Sequence, residues 1–498
     1  MQLRANIIVS LVSFGVASCT SIDENINSTP GAVEVQHSAT IPAPEQLDQY
    51  RSEFEAAIAD GKYPSIAVSV IDDGEVVWRE TFGQSDIESG ASATVEDVYA
   101  VGSLSKSITA TVIMSMVEDG LIDLNGLAED YLDVELMRVQ PMDKPRVKDL
   151  IHMTGGIPHG HFSPGIGKSD ADHYISRFAV QAFPAGKHLL YSNYGYGLLE
   201  RIAELVDKKP FHQVAKDRVF APLRMSTARA EGLGNGPYDS TLYDEDKNVI
   251  PPYEWRPVSG GGMSFSLTDL EKYVLFHMGI AANADAVLSS ATREKMQTTF
   301  PDLEAPIVAL GLGSLQISEN ERLLMTSGAI AGGRSAAFMF PAKRDAVIFL
   351  TNSRGDSGEV ELTTVRVMDT LNPSTFDKAI AIVEAHNAAH YPEFEGQKSF
   401  LGSWCGVFKS TNGDRIDAEV EIKSSGKAIV SFNESEPVSA ELGLHDAKVS
   451  ASVFTEHDRM RFNFMPDGDG LIGSVVTTNK DAPLINDMPH VGRMQRCQ

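Results

Sequence analysis

Residues 65–83, SIAVSVIDDGEVVWRETFG, read as a β-hairpin: two runs rich in β-branched and aromatic side chains flank the turn residues Asp72, Asp73 and Gly74. The next β-rich runs come far downstream, as IVALGLGSLQI, ERLLMTSG, SAAFMFP and DAVIFLTN between 307 and 352. The chain between them is mainly helical in pattern. Strands at both ends with helices between predict an antiparallel sheet closed by distant parts of the chain, flanked by helices and carrying a helical insertion, an α+β fold. Residues 43–61 predict an amphipathic helix with Leu47, Tyr50, Phe54 and Ile58 on one face and Gly61 as its stop. A helix at 360–371 is placed to cover the sheet.

A chain of 498 residues exceeds what one hydrophobic core usually organises. The first domain is expected over 42–375 and a linker over 376–394. From 395 the texture changes: Ile416, Ala418, Val420 and Ile422 alternate with polar residues, as do Met460, Phe462 and Phe464. This predicts a small all-β domain at 395–498, a barrel or sandwich. It contains Cys405 and Cys497, which either bridge or stay as two buried thiols. A bridge closing so long a loop is worth roughly 4 to 5 kcal/mol in the chain-entropy account.

The N-terminus carries Arg4 and then an apolar run from Ile7 to Ala17, too short to span a bilayer but suited to the core of an export signal over 1–19. Its end, Val16-Ala17-Ser18-Cys19, resembles a bacterial lipoprotein box, which implies a lipidated Cys19, membrane attachment through it, and an exported protein, periplasmic or membrane-anchored. An ordinary cleaved signal is the alternative. Residues 20–41 are polar and without an apolar face, as a tether is. The net charge of −26 argues against nucleic acid as a partner, since binding it needs clustered cations.

Chemistry concentrates in VGSLSKSITA, 101–110, where Ser103 and Lys106 stand one helical turn apart at the start of an apolar helix. A lysine desolvated enough to be neutral part of the time can accept the serine proton. The S-x-x-K pattern alone is weak, because Ser424-Ser425-Gly426-Lys427 also fits it, in a stretch that reads as a turn. The segment PAGKHLLYSNYGYG supplies the remaining groups: Tyr191 to relay a proton and Asn193, two positions on, to bind a substrate carbonyl. His159 and His161 raise the question of a metal pair, but no acidic residue follows at ligand-like spacing, and a loop near the cleft is the preferred reading. Neither a metal nor a cofactor is called for.

Ser103-Leu104-Ser105-Lys106 followed by Tyr191-Ser192-Asn193 resembles the serine hydrolases that include class C β-lactamases, DD-peptidases and β-lactamase-like carboxylesterases. LIHMTGGIP, FAPLRMSTA and GGGMSFSLTDLEKYV are similar to further segments of that group, so that the resemblance spans roughly 42–372. It implies a third motif on a strand facing the nucleophile, best matched by Thr326-Ser327-Gly328, and an oxyanion hole made by the backbone N–H groups of Ser103 and Ala329. Thr326 departs from the family pattern, which has Lys or His there to help hold the substrate carboxylate. Arg322 or Arg334 offers a partial substitute.

The expectation is a serine hydrolase with Ser103, Lys106 and Tyr191 catalytic and Asn193, Thr326, Ser327 and Gly328 binding substrate. The substrate is a small ester, an amide or a short D-amino-acid peptide. The alternatives are a β-lactam-hydrolysing enzyme and a non-hydrolytic penicillin-binding sensor of cell-wall fragments.

Overall fold

The computed structural model describes residues 39–163, 175, 178–186, 188–299, 308–355, 359–390, 397–433, 435–445, 448–454, 458–479 and 487–497. The export signal, Cys19 and the tether up to residue 38 lie outside the described residues.

Helix α1 (Asp48–Ala59) buries Tyr50 and Phe54, on the face its apolar spacing picks out. The hairpin follows as β1 (Ser65–Asp72) and β2 (Glu75–Asp86), with β3 (Ala91–Ser92) on its edge. Strand β4 (Val98–Ala100) leads into a 3-10 turn, Gly102–Leu104, and then α2 (Ser105–Glu118). The helical region continues through α2 to α3 (Asn193–Asp207), and β5 (Ser264–Ser266) precedes α4 (Leu267–His277). The chain then returns to the sheet as β6 (Gly313–Ser318), β7 (Glu321–Ile330), β8 (Gly333–Phe340) and β9 (Asp345–Thr351).

The sheet runs β3-β2-β1-β9-β8-β7-β6. Its closure is the antiparallel pairing of β1 with β9, Ile66 opposite Thr351 and Ile71 opposite Ala346, which joins the two ends of the domain as the strand pattern predicts. Both strands are covered on both faces, and for that reason they read in sequence as continuous apolar runs rather than alternations. One face packs on the helical region through Ile71, Ala337 and Ile348 with Ile108 and Ile113. The other packs on α1 and on α5 (Glu359–Leu371), through Phe338 and Phe349 with Phe54 and Val367.

The stretch expected as a linker behaves differently as far as it is described. Residues 376–390 continue α6 (Pro373–His390), and Ala379 is buried in the same core as Phe338, because its apolar residues recur at a spacing that a helix presents to the sheet side.

The C-terminal strands are β10 (Gly402–Lys409), β11 (Arg415–Ile422), β12 (Lys427–Phe432), β13 (Val438–Glu441), β14 (Gly443–His445), β15 (Lys448–Phe454), β16 (Asp458–Asp467), β17 (Gly470–Asn479) and β18 (Asp487–Arg496). They form one antiparallel sheet, β13-β12-β11-β10-β18-β17-β16-β15-β14, and β13 comes back against β15, so the sheet curls nearly into a barrel. In β11 every second residue from Ile416 to Ile422 points inward. Phe408, Phe432, Phe462 and Phe464 fill the interior. A disulfide joins Cys405 on β10 to Cys497, just past β18.

This unit is docked on the first domain. Met465, Ile472 and Val491 share a buried cluster with Val180, Phe183 and Leu190. The Lys448 ammonium donates to the Leu189 carbonyl, and the Tyr194 hydroxyl donates to the Asp487 carbonyl at 2.5 Å. The barrel therefore lies on the segment that leads into α3.

The disulfide spans a sequence separation of 92 residues, for which chain entropy gives about 4.6 kcal/mol. Cys497→Ser is expected to lower the thermal midpoint of the oxidised protein by several degrees. Wild type measured with reductant should fall equally, and a midpoint that neither change moves contradicts a stabilising role.

Candidate active site

Ser103 sits in the 3-10 turn just before α2, half-buried and pressed against β7. That contact exists because both sides lack a side chain. Gly102 has φ +56°, and a Cβ there would lie 2.7 Å from the Ala329 nitrogen. A Cβ on Gly328 would lie 2.0 Å from the Val101 carbonyl oxygen and 2.4 Å from the Ser103 nitrogen. The Ser335 hydroxyl, from β8, donates to the Val101 carbonyl at 2.7 Å and ties the turn to the sheet.

Lys106, on the first turn of α2, is 4% exposed. Its Nζ reaches Asn193 Oδ1 at 2.6 Å, the Gly260 carbonyl at 2.5 Å and Ser103 Oγ at 3.3 Å. None of these partners is a carboxylate, and burial holds the ammonium well below its ordinary pKa. A neutral amine has two hydrogens, which the two short bonds use. The lone pair is then left for the longest contact, the one to Ser103.

Tyr191 places its hydroxyl 2.5 Å from Ser103 Oγ. Its ring lies 4.6 Å below Lys106 Nζ. Burial pushes the phenol up to about 12, partly offset by the Ser103 contact, so the tyrosine keeps its proton at neutral pH. Asn193 is the first residue of α3, whose N-cap Ser192 accepts from the Gly195 N–H at 2.8 Å and donates to the Pro158 carbonyl at 2.9 Å. With Oδ1 committed to Lys106, the Asn193 amide nitrogen is the end available to a substrate carbonyl.

The four residues of the first two motifs thus converge, together with the Gly260 carbonyl, which sequence reasoning did not single out as a site group. A backbone acceptor leaves no residue-type signal; only the GGGM run marked the place. The second S-x-x-K, Ser424 to Lys427, lies in the exposed turn between β11 and β12, as its composition suggests.

Thr326, Ser327, Gly328 and Ala329 lie on β7 beside the serine. Ile330 and Gly333 close a two-residue turn, so they form the hydrogen-bonded pair, and by alternation the Ala329 N–H points off the ladder. Its direction is the edge where the Ser103 turn packs. Thr326 shares the face of Gly328, toward that turn, and is 7% exposed.

Neither arginine makes up for the missing cation at 326. Arg322 lies four residues along the strand and pairs with Glu294 at 2.6 Å. Arg334 stands opposite Ala329, whereas its neighbour Ser335 reaches the Ser103 turn, so the Arg334 side chain projects to the other face of the sheet. It is 1% exposed.

The loop before α3 brings two further side chains. His159 is half-buried, with its ring 5.1 Å from that of Tyr191. His161 stacks on Trp255 at 3.9 Å, and burial lowers its pKa to about 4 against the opposing pull of Asp487. Asp487, from β18 of the barrel, accepts from the His161 N–H at 3.0 Å and from the Arg461 guanidinium at 2.7 Å. The two histidine rings are 6.4 Å apart. The acidic residue absent near them in sequence arrives from 326 positions away, beyond the reach of any spacing argument.

The β-lactamase family pattern matches residues 50–371. A D-aminopeptidase of Brucella anthropi is 25% identical over 369 residues, covering 69% of this chain and 64% of that protein, so the chain matches under two thirds of its length. Penicillin-binding protein 4 of Amycolatopsis lactamdurans is 24% identical over 277 residues, covering 50% of this chain and 68% of that one. The octameric penicillin-binding protein homologue from Pyrococcus abyssi shares the fold, with a TM-score of 0.54 and 20% identity over 90% of this chain and 99% of that one.

The glycine contact generates a sharp expectation. Gly328→Ala should push the Ser103 turn off β7 and cost about 10²-fold or more in turnover, the scale of losing one oxyanion donor. Circular dichroism should stay that of the wild type. Undiminished steady-state rates in a folded Gly328→Ala protein contradict this reading of the strand.

Proposed function

Because the chain belongs to the β-lactamase family, we propose that it is a serine hydrolase that forms and then hydrolyses a covalent acyl-Ser103 on a small ester, an amide or a short D-amino-acid peptide. The observation that carries this is the environment of Ser103 Oγ. It sits between a phenol that stays protonated and an amine whose pKa burial holds well below its ordinary value.

In acylation, Ser103 Oγ attacks the carbonyl carbon and its proton passes to the Lys106 lone pair. The developing oxyanion meets the N–H groups of Ser103 and Ala329, which are already fixed by the glycine contact and cost no reorganisation. The Tyr191 hydroxyl gives its proton to the leaving oxygen or nitrogen as the carbonyl re-forms and the bond from its carbon to that atom breaks, and Lys106 returns a proton to the phenolate. Water then attacks the acyl carbon, its proton moves to the same pair of residues, and the serine recovers its own as the acid leaves. Asn193, held by Lys106, orients the substrate through its amide nitrogen.

The D-aminopeptidase relatives support D-amino-acid amides and peptides within this class. Thr326 in place of a cation weighs against β-lactams and against a sensor of cell-wall fragments. An exported protein anchored through Cys19 belongs to the same proposal, on the strength of residues 1–19 alone.

Incubation with p-nitrophenyl butyrate is expected to give steady turnover and a transient acyl adduct by intact-mass spectrometry in the wild type. Neither should occur in Ser103→Ala. A lasting adduct without turnover would favour the sensor, and an undiminished Ser103→Ala would remove the serine from the mechanism.

The pH dependence follows from Lys106. Lowering the pH through its depressed pKa charges the amine and removes the base, so kcat/KM should fall on the acidic side only, with no alkaline limb from Tyr191 below about 12. Lys106→Arg should be inactive throughout, since a guanidinium keeps its charge.

A further inference from the structure

The acyl-hydrolase reading leaves one question open: what replaces the cation missing at Thr326. A set of donors that bears on it lies where the barrel meets the His159 loop. The Asn193 N–H donates to His159 Nδ1 at 3.4 Å, which places the ring proton on Nε2. The ring stays neutral, because burial first and the positive charge of Arg461 next hold its pKa well below the ordinary value. Nε2–H is therefore a donor standing beside Tyr191, on a half-buried ring.

Behind it the wall carries buried donors. Trp255 Nε1 and Arg461 Nε are buried with no hydrogen-bond partner among the described residues. Asp487 is the carboxylate facing this wall, and its oxygens are already engaged. Oδ2 takes the His161 N–H and Arg461, and Oδ1 takes the Thr478 hydroxyl. Asp487 thereby anchors Arg461 at one end of its guanidinium, while Nε is left without a partner among the described residues.

We propose that His159 and Arg461 form a carboxylate-binding subsite, supplied jointly by the loop before α3 and by the barrel, which holds a free carboxylate of the substrate in place of the cation absent at 326. The barrel is then a specificity element of the active site as well as a support. Trp255 and His161, stacked on each other, stand beside the subsite.

The test is equilibrium binding to the full-length Ser103→Ala protein, in which no chemistry intervenes. The probes are hippurate and hippuramide, which differ only in carrying a carboxylate or a neutral amide. Hippurate should bind about tenfold tighter or more, the scale of a charge-assisted hydrogen-bond pair. Arg461→Gln and His159→Leu, each in the Ser103→Ala background, should cut that preference to below about threefold, while Arg461→Lys, which keeps the charge but not the fork that spans Asp487 and the ligand, should retain only part of it. If Arg461→Gln fails to fold, His159→Leu decides.

Equal affinities, tighter binding of hippuramide, no saturable binding of either probe, or a preference that survives both variants overturns the subsite. Failure of the hydrolase reading would look different: the wild type would form no acyl adduct on Ser103 while the Ser103→Ala protein still preferred hippurate.

Discussion

A lysine buried without a counter-charge organises this molecule. An ammonium in that position is unfavourable, and burial shifts it well below its ordinary pKa, toward the neutral amine, with no acid among its hydrogen-bond partners. Everything around Nζ serves that end. The acceptors are an amide oxygen and a backbone carbonyl, which fix the amine's hydrogens without charging it, and Tyr191 and Tyr196 present their ring faces at 4.6 and 5.5 Å. The lone pair then has one useful direction, toward Ser103. Three segments widely separated in the chain must meet for this to hold, and the helical region exists largely to bring them together.

The sheet supplies the other half of the site. Pairing β1 with β9 brings β7 and β8 beside the turn that starts α2, and two glycines let backbone touch backbone there. In the proposed mechanism oxyanion stabilisation depends on donors being in place before charge develops, and a contact that admits no Cβ on either side holds the Ser103 and Ala329 backbone together. The barrel docks on the opposite side, against the segment that delivers Tyr191. It brings Asp487 and Arg461 against the loop that carries His159 and His161.

Much of this was legible in the sequence. The hairpin at 65–83, the returning strands and the alternation of the barrel followed from apolar periodicity, and Ser103, Lys106, Tyr191 and Asn193 stood out as residue types at telling spacings. What escaped did so for physical reasons. The Gly260 carbonyl is a backbone atom and has no signature. Arg334 fits a substitute cation by residue type, but the register of β7 on β8 puts its side chain on the far face, and a period of two makes such a question undecidable without the register. Residues 376–390 read as a connection because the apolar residues of FDKAIAIVEA need the sheet before their helical spacing has anything to bury against. Asp487 and Arg461 are placed by barrel topology, which no local motif encodes.

The neutral lysine is the claim on which the mechanism and the acid-side pH behaviour both rest. Its direct measurement is an NMR titration of the Lys106 side-chain nitrogen in lysine-labelled protein, assigned by difference against Lys106→Arg. The account predicts a midpoint well below 10.5, with the amine neutral at the pH where the enzyme turns over. A Lys106 resonance that stays ammonium-like up to an ordinary lysine pKa would contradict it, and the serine would need another base.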